Sequence, residues 1–393
     1  MGIAKRSLEQ HLANDGRPKR ILALDGGGLR GILTLAMLEK IEDDLRKRHN
    51  LGDKDDFRLS DYFDLIAGTS TGAIIAATLA MGWTVRDLTK KYFELGEKVF
   101  EKSLLRDGAV RAKYDKDKLI EQLRGVYGAD TTLGSDKLLT GLLVVTKRLD
   151  TMSWWPLGNN PRGKYYGHQV SENRNTLANS EYPLWQVVRA STAAPAYFDS
   201  EEILIGTDEK KKKAAGEFID GGMSPFNNPA LMAMMYATLE GYRLNWPTGS
   251  DRLLVVSVGT GRADKEVKRS TIAGELALKG LLGLMDDCGA MQEIMLQWMS
   301  TSRTARVMDR EIGDLQHDLI APNPLISYLR YNGDLSVAAV KELMPALSDE
   351  KIKSFTKMDA SENMEALYEL GGLTAKRDIR GEDFPTKFDL PPG

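Results

Sequence analysis

Residues 61–82 read "DYFDLIAGTSTGAIIAATLAMG", and two incompatible folds can be built on them. From 65 to 85 the chain carries no charge and is long enough to span a bilayer. Yet three hydroxyl residues (Thr69, Ser70, Thr71) and two glycines (Gly68, Gly72) fall within five positions. Such a cluster punctuates a chain rather than continuing a helix. The stretch therefore reads as a strand over 61–68, a turn, and a helix over 72–82. That helix has no polar face, which predicts burial on all sides.

The flanking sequence repeats the pattern. "RILALD" (20–25) is a short apolar run that stops at glycines, as a buried parallel strand does. In "ILTLAMLEKIEDDLRKR" (32–48), Leu35, Leu38, Ile41 and Leu45 lie at helical spacing. Further strands are expected over 141–148, 216–222 and 252–261, with helical stretches between most of them. Strands alternating with helices predict an α/β fold with a mainly parallel sheet covered on both faces. Residues 1–19 read as a polar, loose arm, 20–300 as the main domain and 301–393 as a helical extension packed on it. In that extension the tail past 334 reads as short helices, with Asp359 or Ser361 as candidate caps.

Two stretches are less regular. Residues 149–183, centred on "SWWPLGNNPRGKYYG", read as a long loop anchored by aromatics or as a flap over a substrate. Residues 278–300 form an amphipathic helix whose Leu281, Leu284, Cys288, Met291, Met295 and Trp298 are expected to face the core. The second reading of that stripe is a surface for a partner helix or an apolar substrate.

The chain has 393 residues, 42% hydrophobic and 28% charged, with a net charge of −3. That balance is ordinary for a globular protein and gives no reason to expect a nucleic-acid partner. The single Cys288 cannot form an internal disulfide, which suits a reducing, cytoplasmic setting. "MGIAKRSLEQ" is charged and no apolar run follows it, so no secretory signal is read. Arg6 also breaks the myristoylation pattern.

The chemistry begins at "ILALDGGGLRG" (21–31). Gly26, Gly28 and Gly31 match G-x-G-x-x-G and would fit a dinucleotide cradle and an oxidoreductase. Against that, no acid stands about twenty residues on to hold a ribose, and Asp25 would lie near the pyrophosphate. "GTSTG" (68–72) matches G-x-S-x-G in its proper setting between strand and helix, which presents Ser70 on a sharp turn flanked by Gly68 and Gly72. A serine nucleophile needs a base. The four histidines, His11, His49, His168 and His317, sit in polar stretches and read as surface residues. Asp220 in "EFIDGGM" (217–223) is the better candidate. It ends an apolar strand and meets Gly221 and Gly222, on the edge where open α/β sheets place their sites. Ester attack creates an oxyanion that needs preorganised N–H donors. Gly27 and Gly28 are the choice for these, with Gly26 adjacent. Arg30 would pair with a substrate phosphate.

DGGGLRG, GTSTG and DGG, in that order, resemble the patatin family of lipid acyl hydrolases. "RASTAAPAYF" (189–198), "YLRYNGD" (328–334) and "MDASENMEALYELG" (358–371) extend the likeness over about 20–372. The resemblance implies a three-layer α/β/α fold and a Ser70–Asp220 dyad without histidine. It also implies an oxyanion hole at Gly26–Gly28 with Arg30 close by, and no metal or other cofactor. Substrates would be phospholipids or other acyl lipids, cleaved through an acyl-enzyme at a membrane surface. Soluble bacterial members include phospholipases of antiphage defence switched on by cyclic nucleotides. The chain is compatible with such an activator, although no residue marks a nucleotide pocket, and with a homo-oligomer. A storage or binding protein on this fold would need neither Ser70 nor Asp220. The basic run Lys210–Lys213 reads as a solvated loop tip, or as a contact with anionic headgroups.

Overall fold

A computed structural model describes residues 3–52, 57–99, 114, 116–167, 176–195, 197–207, 212–262 and 273–391. His168, Lys210, Lys211 and the Leu281 side chain lie outside the described set. In chain order the first half contains α1 (Leu8–Leu12), β1 (Lys19–Leu24), α2 (Gly31–Arg48), α3 (Leu59–Tyr62), β2 (Leu65–Thr69), α4 (Thr71–Ala80), α5 (Val85–Val99) and α6 (Lys116–Tyr127). Then come β3 (Gly141–Arg148), β4 (Trp154–Gly158), α7 (Leu184–Ser191), β5 (Glu201–Thr207), β6 (Lys213–Asp220), α8 (Ala230–Thr238) and β7 (Leu253–Val258). The last part holds α9 (Ala273–Trp298), β8 (Ser300–Thr301), β9 (Ile326–Tyr331), α10 (Val337–Leu343), α11 (Asp349–Ser354) and α12 (Met364–Asp378).

The strands form one sheet in the order β5-β6-β3-β2-β1-β7-β9-β8, with β4 also paired to β3. From β3 through β8 the pairing is parallel, whereas β4, β5 and β6 join antiparallel. The central strands are apolar at nearly every position because both faces are covered. Leu22, Leu24, Ile66, Val144 and Val256 point into a core shared with α2, α4, α5, α7 and α12. Ile21, Ala23, Ala67, Val145 and Val255 point into a second core with α8 and Leu296 of α9. Alternation along each strand thus divides two hydrophobic layers, and the α/β/α architecture follows.

The structure departs from the sequence reading in several places. Residues 59–62 are helical, because the Asp61 carboxylate accepts the Arg58 N–H at 2.8 Å and caps a turn before β2 begins. The N-terminal segment is not loose. Ser7 and Gln10 form a capping box on α1, and His11 is buried with its Nδ1 3.2 Å from Asp64 Oδ1. Arg6 and Arg20 converge on the same buried carboxylate. Within 149–183, Trp154–Gly158 is a strand hairpinned onto β3. The C-terminal region is not wholly helical, since β9 lies inside the sheet beside β7.

The α9 stripe also turns out differently. Leu284, Met291 and Trp298 are 59%, 50% and 41% exposed, while Gln292, Glu293 and Gln297 are buried. The polar side chains can go inside because each finds a partner. Gln292 donates to Pro225 O, Gln297 Nε2 to Arg306 O and Asp314 O at 3.0 and 2.9 Å, and Glu293 pairs with Arg306 at 2.6 Å.

Candidate active site

Strand register brings the two halves of the site together. On β3, Val145 pairs with Thr69 of β2, and the next residue, Thr146, pairs with Asp220 of β6. Strand β4 occupies the other edge of β3, so β2 and β6 meet end to end along one edge. Ser70, the residue after Thr69, therefore faces Asp220. Its Oγ donates to Asp220 Oδ2 at 2.6 Å.

Ser70 sits in a conformation that L residues avoid, with φ 55° and ψ −128°. Such strain costs on the order of 1–3 kcal/mol and persists only where the surroundings impose it. Here they do. Ser191 Oγ accepts the Ser70 N–H at 2.9 Å and donates to Val145 O at 2.6 Å. A Cβ on Gly68 would lie 2.2 Å from Gly72 O, and one on Gly72 would lie 2.2 Å from Leu24 O. Only glycine lets the turn fold this tightly against β1. The helix α4 begins at the next residue, Thr71, and directs its positive end at the site.

Asp220 is buried, and burial pushes its carboxyl up to about 6; hydrogen bonds from Ser70 and Gly222 and the charge of Arg189 oppose the shift. Its Oδ1 accepts the Gly222 N–H at 2.7 Å. Gly221 packs where a Cβ would lie 2.1 Å from Val145 O. None of the histidines among the described residues lines the site. His11 is buried against Asp64, correcting its reading as a surface residue, and Leu390 N donates to His49 Nε2 at 2.9 Å. His317 is exposed.

The glycine loop closes the other side. Gly26 N–H donates to Asn227 O at 3.1 Å, so it does not serve the oxyanion role expected of it. Gly27 N–H reaches Thr71 Oγ1 at 3.3 Å. Gly28 takes φ 61°, and its N–H has no hydrogen-bond partner among the described residues. Tyr92 Oη donates to Gly28 O at 2.8 Å, an approach that Gly31 permits by lacking a Cβ. Arg30 corrects a second expectation. Its guanidinium is buried and donates to Gly27 O and Gly261 O at 3.3 and 3.4 Å, away from the cavity lining. It braces the loop from behind rather than reaching toward a substrate phosphate.

Ser70, Asp220 and the three glycines open on a cavity of about 90 Å³. Its walls are apolar, with Ile74, Leu95, Leu119, Tyr197, Phe198 and Met285 among them. No described residue of 149–183 lines it. The site thus combines a hydroxyl hydrogen-bonded to a carboxyl whose pKa burial raises, and an N–H without a partner among the described residues, in front of an apolar pocket. Among the described residues no three His, Cys, Asp or Glu side chains stand together as a metal site, and no helix is long and apolar enough to cross a membrane. Sequence reasoning gave no role to Ser191, Asn227 or Thr71. Ser191 lies in the "RASTAAPAYF" block, the one signal that could have pointed to it.

The family model for patatin-like phospholipase matches residues 22–234, from within β1 to within α8, a span that includes both Ser70 and Asp220. The chain belongs to the patatin-like phospholipase family. It is 30% identical over 275 residues to calcium-independent phospholipase A2-gamma of Rattus norvegicus, covering 67% of this chain and 31% of that protein. It therefore spans about a third of the length of that relative. It is 26% identical over 258 residues to the cGAMP-activated phospholipase of Escherichia coli (strain TW11681), covering 65% of each. With Patatin-17 of Solanum cardiophyllum it is 25% identical over 394 residues, covering 95% of this chain and 88% of that one. Family membership sets aside the dinucleotide-cradle reading of Gly26, Gly28 and Gly31.

Proposed function

We propose that this patatin-like protein is a serine acyl hydrolase that cleaves acyl esters of phospholipids through a Ser70–Asp220 dyad. The observation that carries the reading is the 2.6 Å hydrogen bond from Ser70 Oγ to Asp220 Oδ2 at the mouth of an apolar cavity. Ser70 Oγ attacks the ester carbonyl carbon and its proton passes to Asp220. The tetrahedral oxyanion is met by the Gly28 N–H and the N-terminal end of α4. Collapse of that intermediate expels the alcohol, which takes the proton from Asp220 and leaves an acyl-Ser70. Water then attacks the acyl group with Asp220 again accepting the proton; collapse breaks the bond to Ser70 Oγ, which takes that proton back from Asp220 as the fatty acid departs. A carboxyl raised to about 6 is a better proton acceptor than an ordinary aspartate while still ionised at neutral pH.

A phospholipid substrate implies work at a membrane surface. Support comes from Leu284, Met291 and Trp298, exposed on the helix whose Met285 lines the cavity. Activation by a cyclic nucleotide is part of the same reading, supported by the likeness to the Escherichia coli protein; adding a cyclic dinucleotide to the assay tests it. The main test is hydrolysis of phospholipid vesicles, with released fatty acid as the readout. Ser70→Ala and Asp220→Ala are each expected to lower the rate at least about 10³-fold, and a chelator is expected to leave it unchanged. Full activity in either folded variant would remove the assignment.

A further inference from the structure

Asp25 and Arg330 form an ion pair that the steps above do not use. Asp25 is the residue where the chain leaves β1 and enters the glycine loop. Arg330 sits on β9, far along the chain. The contact is a two-point fork, Nη1 to Oδ1 at 2.9 Å and Nη2 to Oδ2 at 2.6 Å. Nη1 also donates to Ser257 Oγ at 2.7 Å. The two side chains are only 8% and 9% exposed, and neither lines the cavity.

Both partners are themselves held in place. Asp25 N–H donates to Val258 O at 3.1 Å, and Arg330 N–H donates to Thr304 Oγ1 at 2.8 Å. In the sheet Arg330 pairs in register with Ser257. A buried ion pair is weak evidence for stability, since apolar side chains often do as well in its place. What a bidentate fork supplies is orientation. Orientation matters most one to three residues further on, where Gly28 N–H alone of the three glycine amides is left without a partner. Its direction depends on how the chain exits β1, and Asp25 is that exit.

We propose that the Asp25–Arg330 fork is a positioning clamp that sets the glycine loop so that Gly28 N–H meets the developing oxyanion. The proposal rests on the hydrolase reading above. It makes Arg330 a positioning residue, acting through Asp25 on a loop that it does not touch. It also gives the C-terminal strand β9 a part in the reaction.

The test compares wild type with Arg330→Met, Arg330→Lys and the Asp25→Asn/Arg330→Met double variant. A soluble ester and its thionoester are assayed for kcat and KM, and Tm is recorded. Sulfur is larger and accepts hydrogen bonds poorly, so an intact oxyanion site favours the oxygen ester. Arg330→Met is expected to lower kcat on the oxygen ester about 100-fold, with KM changed less than about threefold. The oxygen-to-sulfur rate ratio should shrink with it. Arg330→Lys, which keeps the charge but loses the fork, should fall between. The double variant removes the stranded charge, so Tm should recover while kcat and the rate ratio stay low. Recovery of kcat together with Tm would overturn the clamp, as would an unchanged rate ratio in folded Arg330→Met. Collapse of all three variants would overturn it too, making the pair a folding element. Wild type that cleaves neither ester and resists fluorophosphonate would instead remove the hydrolase reading on which the clamp rests.

Discussion

At Asp220, the proposed function and the stability of the fold pull apart. Burial raises its carboxyl from 3.8 to about 6, so the folded protein binds that proton more tightly than the unfolded chain does. The resulting contribution to stability is complete below the ordinary carboxylate value and is lost as pH rises through about 6. Two pH units correspond to about 3 kcal/mol. Asp220→Asn, which retains an oxygen for Gly222 N–H, is therefore expected to abolish activity and raise stability at pH 8 by about 1–3 kcal/mol. The gain should fade toward pH 4; urea unfolding at both pH values measures it. For activity the sign is reversed. In the proposed mechanism Asp220 accepts the Ser70 proton and must be ionised, so kcat/KM should rise through about pH 6 and level off above it. Ser70 and Asp220 were legible in sequence because turn chemistry and strand ends mark them. Ser191 was not, because a buried serine inside a helix looks like any other until its partners, Ser70 N and Val145 O, are seen.

Among the elements, the turn between β2 and α4 is packed so closely on β1 that it leaves no room for a side chain at Gly72. Gly72→Ala would place a Cβ 2.2 Å from the Leu24 carbonyl oxygen. The turn would have to separate from β1, at a cost of about 1–3 kcal/mol and with loss of activity from a displaced Ser70. Thermal unfolding and the ester assay on the same preparation check both. Strands β1, β3 and β7 could be read directly because continuous apolar runs need no partner to be recognised. Strand β4 could not. "WWPLG" contains Pro and Gly, and only its pairing with Leu143–Lys147 makes it a strand. The inward face of α9 was misread for a related reason. Gln292 and Gln297 take their partners from Pro225, Arg306 and Asp314, distant in the chain or in an irregular segment.

Over the whole molecule, the ends of the chain turn out to be structural. Buried Asp64 gathers Arg6, His11 and Arg20; burial opposes its charge, but those neighbours outweigh it and hold its carboxyl far below the usual range. Asp64→Ala would strand the Arg6 and Arg20 guanidinium groups and is expected to cost about 3–5 kcal/mol in urea unfolding. At the other end, β9 and α12 complete the sheet and cover α2, so a chain cut after residue 300 should fail to fold by circular dichroism. A sequence read segment by segment cannot show either arrangement, because each joins residues far apart along the chain. The same holds for the pairing of Val145 and Thr146 with two different strands, on which the site depends. The most direct measurement of that site is fluorophosphonate labelling followed by peptide mapping across pH 4–8. The account predicts a single adduct on Ser70, formed faster as pH rises through about 6 and absent in Asp220→Asn. Ester cleavage that persists with Ser70 unlabelled, or labelling unaffected by loss of Asp220, would contradict it.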